Sequence, residues 1–155
     1  MTATIPVGDR PEGVAVGQDA VWVANSGSVS RIDPDTNHVT ATIPVHDVPE
    51  CVAAGEGGVW VTGLGPDFWR GMIRIDPATN RVTAFVPVRD MLCVAAGEGA
   101  VWVAGGSRSV YRIDPATNRV IATIPVGDIL RGVAVGQGAV WVTDLDGGNV
   151  SRIDY

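Results

Sequence analysis

Short runs of alternating apolar and polar residues, broken by Gly, Asp and Asn, fill the chain from end to end. The first complete set reads GVAVG (13–17), AVWVA (20–24), VSRID (29–33) and HVTATIPV (38–45). A period of two over runs this short is the mark of half-buried β-strands, and almost no stretch carries helical spacing. The connections have turn chemistry. In DPDTN and DPATN the Asp side chain can accept backbone N–H bonds, and Pro presets the next φ for a type I turn. GQDA, GEGG, GEGA and GQGA read as tight hairpins in which Gly supplies positive φ.

The same set recurs. Aligned tryptophans fall at Trp22, Trp60, Trp102 and Trp141, and the Asp of each RID motif at Asp33, Asp76, Asp114 and Asp154. Four units of about 40 residues cover 1–155 as a single domain. Four antiparallel strands at this period make one blade of a β-propeller, so the expected class is all-β, with four four-stranded blades per chain. The last unit, SRIDY (151–155), is a third strand without a fourth. The first residues, TATIPVGD (2–9), match the fourth strands TATIPVHD, TAFVPVRD and IATIPVGD. The N-terminal strand is therefore expected to complete the last blade and cover an open edge. The blades are built from Val, Ala, Ile, Thr and Gly with one regular Trp each, which suits thin wedges. The expectation is a homodimer closing an eight-bladed ring, with a monomeric four-bladed ring or a piece of a longer array as the alternatives.

The motifs GVAVGxGAVWVAN and SRIDPATNRVxATIPVG resemble the YVTN-type β-propeller repeats, with streptogramin lyase-like propellers as distant relatives. The resemblance spans essentially all 155 residues. It implies the propeller fold and leaves function open, because propellers host enzymes, binding platforms and scaffolds alike. Members of that family usually carry six to eight blades, and this chain departs by having four. The lyase comparison implies a catalytic His and a bound divalent cation at the channel mouth. That motif has no residue-by-residue match here, and His46 is the one His in a suitable loop.

Charge narrows the partners. The net charge is −6, no Lys is present, and the eleven cations are scattered Arg. Phosphate recognition needs clustered positive charge, so neither nucleic acid nor an anionic membrane is expected as partner. There is no apolar run long enough for a transmembrane helix and no signal-peptide pattern, so the cytoplasm is the expected location. A hydrophobic fraction of 46% supports a packed core rather than disorder.

Residues repeated in every blade read as architecture, so candidate chemistry lies where one unit departs from its siblings. One slot holds Gly13, Cys51, Cys93 and Gly132 in the four units. The two cysteines point either to a soft-metal site or reactive thiol pair, or to a small apolar filler. A disulfide between them is not expected, because equivalent positions on neighbouring inner strands should lie beyond its reach. His46 stands just ahead of Cys51 and is a candidate metal ligand or base, or a solvent-exposed loop residue. The second unit has an enlarged loop, TGLGPDFWRGM, carrying Asp67, Phe68, Trp69 and Arg70, which can cap a pocket, form a protein interface, or pack over a neighbouring blade. Glu50, Arg89, Arg108, Arg131 and Asp144 complete a polar mouth of mixed sign.

Two functions follow as expectations. One is a binding or scaffold module whose small-molecule or protein ligand sits at the channel mouth, with no cofactor required. The other is a metal-assisted or thiol-based lyase, hydrolase or isomerase with His46, Cys51 and Cys93 as catalytic residues and metal ligands, holding a divalent or soft ion such as Zn or Cu.

Overall fold

The computed structural model describes residues 3–45, 48–64, 70–88, 91–105 and 108–155, with Leu64 and Arg70 described by backbone alone. His46, Asp67, Phe68, Trp69 and Arg89 lie outside the described residues.

The strands form where the alternation places them. The first blade is β1 (Gly13–Gly17), β2 (Ala20–Asn25), β3 (Ser28–Asp33) and β4 (His38–Pro44). The second is β5 (Val48–Gly55), β6 (Gly58–Leu64), β7 (Arg70–Asp76) and β8 (Arg81–Val86). The third is β9 (Met91–Gly97), β10 (Ala100–Gly105), β11 (Ser109–Asp114) and β12 (Arg119–Pro125). The last is β13 (Leu130–Gly136), β14 (Ala139–Asp144) and β15 (Asn149–Asp154). Each blade is an antiparallel meander in chain order, and the last has three strands. Residues 3–7 form no strand, so the N-terminal copy of the fourth-strand motif does not complete the last blade within its own chain.

The first-to-second strand hairpins have positive φ at both central residues, at Gln18 and Asp19 in the first blade and at Glu56 and Gly57 in the second. That is the type I′ geometry, whose twist matches the flanking strands. The positive φ expected of Gly is thus carried equally by Gln, Glu and Asp.

The DPxTN turns close as their residues predict. Asp33 Oδ1 accepts the Asp35 N–H at 2.8 Å, Asp76 Oδ1 accepts the Ala78 N–H at 2.9 Å, and Asp114 Oδ1 accepts the Ala116 N–H at 3.0 Å. Asn37, Asn80 and Asn118 end the turns in the left-handed region at φ 56–58°, which Asn tolerates better than most residues.

These bonds hold the three carboxyls below their ordinary value of 3.8. The Asp35 N–H is the main cause for Asp33, the Ala78 N–H for Asp76, and the Thr117 hydroxyl for Asp114. A depressed folded-state value stabilises the protein above the unfolded value and loses that contribution as pH falls through the folded one. The melting temperature is therefore expected to fall on acidification below about pH 3.8, and to fall less steeply when Asp33, Asp76 and Asp114 are changed to Asn. A thermal melt series from pH 6 to pH 2 checks this; identical slopes for the two proteins would refute it.

The core lies between blades. Trp22, Ala20, Ala24, Val29 and Ile43 of the first blade pack on Val52, Val59, Val61 and Ile75 of the second. Trp60, Met72 and Val86 pack on Val94, Val101 and Ile113, and Trp102, Ala104 and Val110 pack on Leu130, Val140 and Val142. Each blade thus presents a Trp face to the blade that follows and a Val face to the blade before.

An arginine crosses each of the first two junctions. Arg31 stacks over Trp22 at 5.4 Å and donates to Pro77 O and Asn80 Oδ1 of the next blade at 3.2 and 3.3 Å. Arg74 stacks over Trp60 at 4.9 Å and donates to Pro115 O and Asn118 Oδ1 at 2.7 and 3.2 Å. A β-bulge follows each of these arginines in its pairing with the fourth strand, at Arg31/Ile32 and Arg74/Ile75. At the third junction Arg112 stacks over Trp102, and the Tyr155 ring lies 5.3 Å from that indole.

The inner strands pack in sequence, β1 on β5, β5 on β9 and β9 on β13. Among the described residues β13 does not return to pack comparably on β1. Four blades therefore form an open arc rather than a closed ring.

Candidate functional site at the channel mouth

The starts of the inner strands, the ends of the second strands and the loops joining them gather at one end of the arc. The inner strands converge there. A Cβ on Gly13 would stand 2.9 Å from Glu50 O and 3.3 Å from Cys51 Cα, so this layer of the first blade has room only for Gly.

The same closeness overturns the expectation about the cysteines. Cys51 and Cys93 are joined in a disulfide, with their Cα atoms 5.3 Å apart. That separation falls within the disulfide range. Sheet faces ordinarily stack about 10 Å apart; where Cys51 meets Cys93 the inner strands stand far closer, at 5.3 Å. A slot filled by Gly in the outer two blades and by Cys in the inner two is what a staple between blades two and three requires.

The remaining predicted residues divide. Glu50 is half-buried on β5, and Arg131 is exposed on β13. Arg108, in the left-handed region at φ 64°, forms an ion pair with Asp128; both side chains are exposed. With Pro125, Val126 and Gly127 they line a shallow depression. Asp144 is 8% exposed and its oxygens accept the N–H groups of Asp128, Ile129 and Gly147 at 3.2–3.3 Å. It pins the mouth loops of the last blade. Its counterpart Asn25, fully buried, donates from Nδ2 to Val23 O at 3.2 Å and to Ser30 Oγ at 2.9 Å. In the second blade this position is Gly63, where a Cβ would collide with Val48 O. Among the described residues no three of His, Cys, Asp and Glu are grouped to hold a metal ion.

Two residues at the mouth escaped the sequence reading. Ile129 is 37% and Leu145 59% exposed, and the Leu145 N–H donates to Ile129 O at 2.8 Å, so the two sit on adjacent backbone. The available signal is that Leu145 belongs to the loop LDGG (145–148), two residues longer than its counterpart SG (26–27) in the first blade. The fourth-blade mouth thus joins an apolar pair to the Arg108–Asp128 ion pair and to Arg131.

No known family model matches the chain, and no curated protein matches its sequence. Solved structures do match. One is hydrazine synthase of Kuenenia stuttgartiensis, at TM-score 0.69 and 17% identity over 93% of this chain and 49% of that one. Another is U3-55K, at TM-score 0.69 and 12% identity over 93% of this chain and 51% of that one. The chain spans about half the length of both. Likeness at this identity shows a propeller-like all-β fold and nothing finer.

Proposed function

We propose that this chain is a binding or scaffold module of the YVTN-repeat kind, and that its partner sits on the mouth loops. One observation carries the reading. Several polar residues that recur from blade to blade are occupied within the fold: Arg31 and Arg74 between blades, and Asp33, Asp76 and Asp114 in turns. Residues that vary between blades and reach solvent, such as Arg108, Ile129, Arg131 and Leu145, gather at one end. An exposed apolar pair flanked by arginines suits a small acidic ligand or an acidic–apolar peptide.

The test is a peptide array and a panel of small carboxylates, read with the unaltered chain and with I129S/R131S/L145S. All three side chains point to solvent or its margin, so the fold is expected to survive. Binders should weaken at least about tenfold in the triple variant and be unaffected by R81S/R119S at the far end of the blades. Binding that ignores the triple variant would refute the reading.

The thiol or soft-metal centre has one observation in its favour. Once reduced, two sulfurs on strands 5.3 Å apart at Cα are close enough to share one ion. His46 would be its third ligand. Zinc bound in stoichiometric amount by the reduced protein and lost in C51S/C93S would favour that enzyme-like reading over the scaffold.

A further inference from the structure

The two ends of the arc are halves of a junction that the chain itself repeats three times. At inner strands β5, β9 and β13, the second and fourth residues of the GVAVG-type motif face the preceding blade: Val52 and Ala54, Val94 and Ala96, Val133 and Val135 are all packed into its core. Their counterparts on β1, Val14 and Val16, are covered by no other blade among the described residues and are 67% and 78% exposed. At the other end the Trp face is open. Trp22, Trp60 and Trp102 are fully buried, whereas Trp141 is 39% exposed. Val29, Met72 and Val110 are fully buried, whereas Val150 is 59% exposed.

The arginine latch is split in the same way. Arg152 stacks over Trp141 at 5.8 Å as its siblings do, but its side chain is 53% exposed and pairs with Asp154 of its own strand, at 2.7 Å. The matching receptor is the first DPxTN turn. Pro77, Asn80, Pro115 and Asn118 are half-buried, while Pro34 and Asn37 are exposed. The third element is an edge. Among the described residues no strand pairs with the outer side of β15, and such an edge accepts an added strand.

We infer that a second copy of this 155-residue chain closes the arc, two copies making one eight-bladed ring about a two-fold axis. A copy supplies both faces, so two identical junctions form at once and no end is left open. At each junction Val14 and Val16 cover Trp141 and Val150, and Arg152 reaches Pro34 O and Asn37 Oδ1 of the partner. Residues 3–6 add the missing strand to the partner's β15. The register follows from the first blade, where Ser28, Val29, Ser30 and Arg31 face Pro44, Ile43, Thr42 and Ala41. Carried over, Asn149, Val150, Ser151 and Arg152 face the partner's Pro6, Ile5, Thr4 and Ala3. Eight blades take roughly 45° each, within the range propellers adopt. The mouth is then shared, each copy lining half of one channel. This inference does not depend on what the mouth binds.

The experiment pairs an engineered crosslink with an interface disruption. T4C/S151C, oxidised at micromolar concentration, is expected to give a covalent species of twice the 16.1 kDa chain mass, while neither single variant does. V14E/V16E should weaken association at least about a hundredfold, and R152A about tenfold. Val14 and Val16 are exposed in the single chain, so V14E/V16E should keep the melting profile of the dissociated protein. A T4C/S151C bridge formed within one 16.1 kDa chain would overturn the inference in favour of a four-bladed ring. So would a chain that stays monomeric without crosslinking, or a dimer indifferent to V14E/V16E.

Discussion

Truncating Trp60 to Ala is expected to destabilise the protein by about 4 kcal/mol. The indole is fully buried among Met72, Val86, Val94, Val101 and Ile113. Its removal leaves a cavity between the second and third blades that two sheets cannot collapse to fill. It also takes the Nε1–H donor from Gly55 O, made at 3.1 Å, and the ring from beneath Arg74. The informative comparison is Trp141→Ala at the same place in the fourth blade. In the dissociated chain this residue is 39% exposed, so its loss should cost about 1–2 kcal/mol. Urea unfolding at low protein concentration measures both. The inferred two-copy ring predicts that the two losses converge at concentrations high enough for association. Equal losses in the dissociated chain would mean that the fourth blade is already covered, against the open arc.

Opening the Cys51–Cys93 bridge is expected to cost nearly as much. The two residues are 42 apart in sequence, and closing a loop of that length removes about 4 kcal/mol of unfolded-chain entropy at 25 °C. The bridge also joins two blades that otherwise meet through side-chain packing and a few hydrogen bonds, those of Arg74 among them, so its loss should loosen the junction of blades two and three first. Urea midpoints with and without a reducing agent, and for C51A/C93A, measure the effect. Full stability under reducing conditions would show that the staple contributes nothing. A bridge of this kind belongs to oxidising surroundings, whereas the expected cytoplasmic location would keep both thiols reduced; counting free thiols in protein taken directly from its cells decides between them.

Much of the fold could be read from the residues. Strands β1 to β4 fall within a residue or so of their expected bounds, because alternation, a two-residue hairpin and an Asp-Pro turn each mark the same boundary independently. What one blade cannot reveal is what it touches. Arg31, Trp22 and Asn80 recur together in the units, yet nothing local says that the arginine of one blade reaches the asparagine of the next. The Cys51–Cys93 approach is of the same kind: it depends on how sharply inner strands converge, a property of the assembled blades. The N-terminal motif reads as a fourth strand, but a strand needs an edge, and the chain's own β15 does not receive residues 3–7. Of the candidate site, Asp144 stands at the end of β14, and its buried carboxylate holds three backbone N–H groups, a role that the repeat does not spell out. Ile129 and Leu145 are not legible as mouth residues, because apolar residues in a β-protein read as core.

One native mass spectrum at micromolar concentration tests the half-ring account most directly. A species at twice the 16.1 kDa chain mass, replaced by the single-chain mass in V14E/V16E, is the predicted result. A 16.1 kDa species persisting at every concentration would contradict it, and would mean that Trp141, Val150 and the edge of β15 stay open to water.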